Sequence, residues 1–382
     1  MFGTKIRDIM NIIHILSSTQ ASRYLNTRYL YHEEAKKGHR VDIIKWTAKK
    51  KTEILVVNNN LKVHFLPGKK IPLFQSGTDS FIPHLTAYIK ALSADVIHAH
   101  VLLKLTTFSS AVACMKIRIP LIVSIHGVIT PGSYPLEVGQ LLYYFTLGRA
   151  ICNIASKVRC LTISDAMEMI NFGCSPNKIA VIPNGVDVEK FKPYGEVMDE
   201  LIFWGGRFIP AKGLKYLIKA LYFIVKKNPT VKLMMAGDGP LFSRINDMVR
   251  HLRIEKNVIF KGWVSHNEMS HLINAASVYA IPSLGEGMPY MLLEAMACGK
   301  AVVGSDIHGI NDIITHNVNG ILVPPQNPKA LADAIMLLME DKKLRRKLGQ
   351  NARRLIIEKY DWNIISEKME KIYCDAINQN TK

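Results

Sequence analysis

At 382 residues the chain exceeds the size of one comfortable hydrophobic core, so two domains are expected. A composition of 48% hydrophobic and 21% charged residues excludes a disordered protein. Forty-nine lysines and arginines against thirty-one acidic residues leave a net charge of +18, which favours polyanionic partners: nucleoside diphosphates, an acidic membrane face or nucleic acid.

The first run with strand character is NIIHIL at 11–16, and residues 1–9 read as an extension before it or a start assigned too early. A helix over 22–37, closed by Gly38, leads to a strand over 41–44. Then come a helix over 84–92, a strand over 95–99, a helix over 106–116 and a strand over 121–124 that ends at His126-Gly127. A helix over 136–156 and strands over 158–163 and 180–182 close this half, and the polar, turn-rich 183–200 reads as a linker. The pattern restarts with strands over 201–204, 231–236, 258–260, 278–281, 301–303 and 321–323. Helices over 214–226, 241–252, 266–275, 289–298 and 329–340 alternate with them. Strand and helix in alternation predict an α/β protein with two Rossmann-like parallel sheets and a ligand at strand C-terminal ends.

No apolar run reaches membrane-spanning length and no signal-peptide pattern opens the chain, so a cytoplasmic protein is expected. The six cysteines (Cys114, Cys152, Cys160, Cys174, Cys298, Cys374) form no CxxC pair and read as reduced structural thiols.

Two stretches carry chemistry. In WGGRFIPAKG (204–213), Gly205 and Gly206 allow a tight turn after a strand, and Arg207 and Lys212 follow close to a helix start. A guanidinium fork, a point charge and a helix N-terminus together suit a diphosphate. The loop is neither a P-loop nor GxGxxG, and two solvated cations beside a glycine turn would look the same. In SLGEGMPYMLLEAMACG (283–299), Pro289 opens a helix that Gly299 ends, with Met288, Tyr290 and Met291 offering backbone N–H groups to an anion. Glu286 precedes that helix, and Glu294 lies within it among apolar residues, where a carboxylate needs a partner or a ligand. Taken alone, the pair also fits a loop residue and an exposed helical stripe.

These motifs, with ISDAMEMINFGCSPNKIAVIPNGVDVEKF at 163–191, resemble family 4 of the retaining glycosyltransferases over nearly the whole chain. The resemblance implies GT-B architecture, two domains facing across a cleft. An acceptor-side domain over 1–190, completed by a helix at about 362–382, would face a nucleotide-sugar domain over 191–361. It implies that Arg207 and Lys212 hold the donor diphosphate, to which the reading of the loop and helix start adds Gly206 and the N–H groups of Met288, Tyr290 and Met291. Glu294 would contact the ribose and Glu286 the sugar near the reacting centre, with no metal. His126 in SIHG resembles the first-domain histidine facing the donor sugar. Closure about 183–200 would assemble the site.

His98 and His100 also have family counterparts, and at least one is expected to pack, because a strand alternates faces. Asn184, Gly185 and Asp187 match strongly but also fit a turn joining two domains. The chain departs from the family at 16–24, which lacks a glycine pair, leaving Ser17 and Ser18 as donors. It departs again at 305–314, with His308 in place of glycine and Asp312 in place of glutamate, while Gly309 keeps a close approach to the donor.

The expected activity is hexosyl transfer, with retention, from a UDP- or GDP-hexose to a hydroxyl on a lipid-linked or saccharide acceptor. A sugar-nucleotide epimerase on the same fold is the alternative. A nucleic-acid-binding protein follows from charge alone, without an RNP, KH or helix-turn-helix signature. Most surface cations read as solvated; peripheral contact with an anionic membrane, anchored by Tyr143, Tyr144 and Phe145, is the sharper expectation.

Overall fold

A computed structural model describes residues 9–16, 28–71, 79–102, 104–126 and 144–380. Ser17, Ser18 and Tyr143 lie outside the described residues. Two compact units result: Met1–Pro183 with Trp362–Lys382, and Asn184–Asp361. The division falls between Pro183 and Asn184, ahead of the 190/191 boundary read from the sequence.

The first unit is built on strands β1 (Asn11–Leu16), β2 (Arg40–Thr47), β3 (Glu53–Asn58), β4 (Leu61–Pro67), β7 (Val96–His100), β8 (Leu121–Ser124), β9 (Lys157–Cys160) and β10 (Ile179–Val181). A small ribbon of β5 (Lys69–Ile71) and β6 (Asp79–Phe81) stands apart. The main sheet runs β10-β9-β8-β7-β1-β2-β4-β3, parallel throughout except for the β3/β4 hairpin. That hairpin escapes the strand–helix alternation, although Asn58-Asn59-Asn60 carries its turn signal. On the sheet edge, β3 leaves Ile54, Leu55 and Val56 exposed.

One predicted strand is corrected. The run 158–163 stops at Cys160 because Thr162 caps a helix, Ile163–Phe172. Its hydroxyl accepts the Asp165 N–H at 2.9 Å while the Asp165 carboxylate accepts the Thr162 N–H at 3.2 Å. The helix Trp362–Asn380 packs against β7, β8 and the helix Arg28–Lys36, burying Ile365, Met369 and Tyr373.

In the second unit the strands are β11 (Met198–Gly205), β12 (Lys232–Ala236), β13 (Val258–Gly262), β14 (Ala276–Ile281), β15 (Ala301–Ser305) and β16 (Ile321–Val323). They pair in parallel in the order β13-β12-β11-β14-β15-β16. Trp204, Phe208, Leu217, Leu233, Val278 and Ile335 belong to one buried core. The expected linker is not free chain. Val186 bridges Asp361, Phe191 is fully buried, and Asn274 Nδ2 donates to the Lys192 carbonyl at 3.0 Å. Those contacts make 184–197 part of the second unit. All six cysteines are buried free thiols, and among the described residues no helix is long and apolar enough to cross a membrane.

Candidate active site

Strand order in the second unit reverses between β11 and β14, which opens a crevice beyond their C-terminal ends. Both sequence motifs leave the sheet there. After β11 the Gly206 N–H is spent on the Ala236 carbonyl at 2.9 Å, so this residue contributes close backbone approach, not a donor. Arg207 is exposed, and Lys212 ends a single 3-10 turn, Pro210–Lys212. Gly213 follows with φ +64°, and a Cβ there would overlap the Pro282 carbonyl oxygen at the end of β14. The Leu284 N–H donates to the Ala211 carbonyl at 2.7 Å and ties the two loops together.

Between these loops Lys212 Nζ meets Glu286 Oε1 at 2.6 Å, and Ser283 Oγ donates to the same oxygen at 2.7 Å. The sequence assigned Lys212 and Glu286 to different parts of a ligand; the fold pairs them. Gly309, at φ +81°, sits so close to the Glu286 and Gly287 carbonyls that a Cβ would collide with them. Asp312 holds that position by accepting the Gly309 N–H at 2.9 Å, and His308 Nδ1 lies 3.8 Å from the same carboxylate.

The helix beyond is Tyr290–Ala297, with Pro289 as its N-cap residue and not inside its first turn. Leu292 and Leu293 both donate to the Pro289 carbonyl, so Tyr290 and Met291 carry the leading N–H groups. Met291 packs over Gly205, where a Cβ would press on its Cε at 2.5 Å. Met288 is buried and anchors Asn184, whose N–H meets its sulfur at 3.1 Å and whose Nδ2 donates to its carbonyl at 3.4 Å. Its side chain and carbonyl are therefore structural.

Glu294 is only 3% exposed, and no donor among the described residues reaches its Oε2. Burial pushes its carboxyl up to about 8, with Lys190 opposing. His266 Nε2 stands 3.8 Å from Oε1. Lys190 and His266 were invisible to the motif reading because they arrive from the 184–197 segment and the helix His266–Ala275. Tyr279 was missed as well. Fully buried in β14, its hydroxyl finds no partner among the described residues, and burial followed by Glu286 and Glu294 drives its pKa upward. A tyrosine amid ASVYAI was the available signal.

In the first unit His126 is half-buried just beyond β8, its Nε2 3.2 Å from His100 Nδ1. Burial and then Arg159 pull its pKa down to about 3, against Asp165. The alternation argument for His98 and His100 does not hold. Two residues apart on β7, they share a face, their rings stack at 4.2 Å, and both are buried.

The model for glycosyl transferases group 1 matches residues 187–355, and that for glycosyltransferase family 4 matches 27–190. The chain belongs to the group 1, family 4 glycosyltransferases. An uncharacterized glycosyltransferase of Methanocaldococcus jannaschii is 29% identical, covering 73% of this chain and 75% of that one. The UDP-Gal:alpha-D-GlcNAc-diphosphoundecaprenol alpha-1,3-galactosyltransferase of Escherichia coli is 26% identical over 76% of this chain and 77% of its own. Sucrose-phosphate synthase from Thermosynechococcus elongatus superimposes with a TM-score of 0.79 at 21% identity, covering 98% of this chain and 100% of that one. The two parallel-sheet domains are those of a GT-B glycosyltransferase.

Proposed function

We propose that this glycosyltransferase moves a hexose, with retention, from a UDP- or GDP-hexose to a hydroxyl of a lipid-linked or saccharide acceptor. The observation that carries the donor assignment is Glu294, a buried carboxylate with one unpartnered oxygen, on the helix that follows the Lys212–Glu286 pair. A ribose hydroxyl would supply the missing donor. Arg207, Lys212 and the Tyr290 and Met291 N–H groups take the diphosphate, whose negative charge grows as the glycosidic bond breaks. Lys212 can bridge the leaving phosphate and Glu286, which faces the positive charge developing at the anomeric carbon. Two cations and a helix terminus, not a metal, serve this charge. The acceptor attacks from the face the phosphate leaves, and the phosphate takes its proton, so no protein nucleophile is assigned. His126, neutral at working pH, addresses the sugar. UDP and a lipid-linked acceptor come first for testing because the E. coli relative's name specifies both kinds of substrate.

Calorimetric titration with UDP, GDP and ADP tests the donor site, beside Arg207→Ala and Glu294→Ala. One nucleotide should bind, and both substitutions should weaken it at least about tenfold, the loss of a charge-assisted hydrogen bond. No binding by the folded protein overturns the assignment.

Peripheral membrane contact belongs to the same proposal. Phe145 is 51% exposed, and Ile163, Met167 and Ile170 form an exposed apolar stripe along Ile163–Phe172. Failure to co-sediment with anionic vesicles at low salt removes this part alone.

A further inference from the structure

Beneath His126 lies a group of buried polar side chains that the proposed chemistry does not use: His14, Tyr31, Glu34, His98, His100, Ser124, Arg159 and Tyr373 are each at most 3% exposed. One ring nitrogen from each of His14, His98 and His100 lies within 4.8 Å of the other two. All six ring nitrogens are nevertheless spent on hydrogen bonds, which makes the cluster a network and not a ligand set.

We infer that Glu34, acting through His14 and His100, fixes the tautomer of His126, so that His126 offers Nδ1 as a hydrogen-bond acceptor and keeps its proton on Nε2. The argument is one of donors and acceptors. A carboxylate only accepts. Glu34 Oε2 therefore takes the proton-bearing Nε2 of His14 at 2.8 Å, and Oε1 takes the Tyr373 hydroxyl at 3.0 Å. With Nε2 protonated and His14 taken as neutral, its Nδ1 lone pair accepts from His100 Nε2 at 3.1 Å, a closer approach than that of the Tyr31 hydroxyl to the same His100 nitrogen at 3.4 Å. His100 in turn accepts on Nδ1 from His126 Nε2 at 3.2 Å. Each ring repeats the orientation of the one before.

The second branch agrees with the first. Having given its proton to Glu34, Tyr373 accepts from His98 Nδ1 at 2.7 Å. His98 Nε2 then accepts from Ser124 Oγ at 2.7 Å, and that oxygen accepts from Arg159 Nη1 at 3.5 Å. Along both branches the donors from His126 to His14 and from Ser124 to Tyr373 point toward Glu34. Burial and the neighbouring imidazoles hold His98 and His100 neutral, as the scheme needs. A protonated His14 would reverse the His14–His100–His126 chain and put the proton on His126 Nδ1.

The consequence for catalysis rests on the assignment of His126 to the donor sugar. An acceptor nitrogen takes a hydrogen bond from a sugar hydroxyl and can face developing positive charge. The opposite tautomer would turn an N–H toward it. Glu34, His14 and His100 are thus positioning residues.

The test is long-range nitrogen–proton correlation of the histidine side chains in the whole protein, with signals assigned by single substitutions. His14, His100 and His126 should all carry the proton on Nε2. His14→Phe, two hydrogen bonds removed from His126, should give His126 a mixture of tautomers and lower kcat at least about tenfold with donor KM unchanged. A proton on Nδ1 of His126 in the unaltered protein, or an unchanged His126 signal in folded His14→Phe, overturns the inference. If His14→Phe does not fold, the tautomers of the unaltered protein decide. Full activity in His126→Ala would instead sink the sugar assignment and leave the tautomer pattern to be judged by the spectra.

Discussion

Glu294 makes the most specific predictions among single residues. Unfolded, its carboxyl has the ordinary glutamate value of 4.5, and burial in the folded chain pushes it up to about 8. Between those values the folded chain holds a proton that the unfolded chain has released. This contribution to stability is complete below about pH 4.5 and is lost as pH rises toward about 8, at up to about 1.4 kcal/mol per pH unit. Thermal unfolding followed from pH 5 to 8 should show the decline, and Glu294→Gln should flatten it. If ribose hydroxyls bind the ionised form, nucleotide binding at pH 7 should release a proton. The calorimetric enthalpy should then vary with the ionisation enthalpy of the buffer in the parent protein and not in Glu294→Gln. Sequence revealed this residue because a carboxylate inside an apolar helix is conspicuous. Its neighbours Lys190 and His266 were hidden because nothing in the local pattern says which distant side chains reach the helix. The pairing of Lys212 with Glu286 was hidden for the same reason. Under the proposed roles Glu286→Gln should lower kcat about 10²- to 10³-fold with little change in donor KM, as measured by initial rates.

The loops of the candidate site are held together by backbone approach as well as by side chains. At Gly309 a Cβ would strike the Glu286 and Gly287 carbonyls, and φ is +81°. Gly309→Ala should therefore cost about 1–3 kcal/mol in denaturant unfolding, and should lower activity by moving Glu286. Most parallel strands and helices of the second unit were legible, because buried strands and amphipathic helices alternate with glycine and proline at the joints. The β3/β4 hairpin was not, since expecting a helix after every strand left no room for it. The helix Ile163–Phe172 was missed and its first residue given to the preceding strand, for its capping box follows a buried strand without a break.

For the molecule as a whole, the decisive asymmetry is connectivity. Asn184–Asp361 is one continuous stretch with its own core, whereas the first unit needs Trp362–Lys382 from the far end of the chain. Residues 184–361 made alone should fold cooperatively and retain the nucleotide affinity of the full chain, as judged by circular dichroism and calorimetry. Residues 1–183 made alone should not reach a native fold. They lack Tyr373, which bonds both Glu34 and His98, and the apolar face bearing Ile365 and Met369. Composition predicted two domains, and the resemblance predicted the returning helix. Periodicity within either half carried no sign that the halves depend so differently on the chain end.

That dependence also sets an order of events during synthesis. Chains emerge from the ribosome N-terminal end first, and domains fold as they become complete. Here the unit made first is finished last: β7 and β8 must wait with their covering helix still untranslated while the later unit already has everything it needs. A nascent chain of this enzyme will therefore expose apolar sheet surface until residues 362–380 have emerged. Its yield in a cell should be more sensitive to chaperone supply than its final stability would indicate.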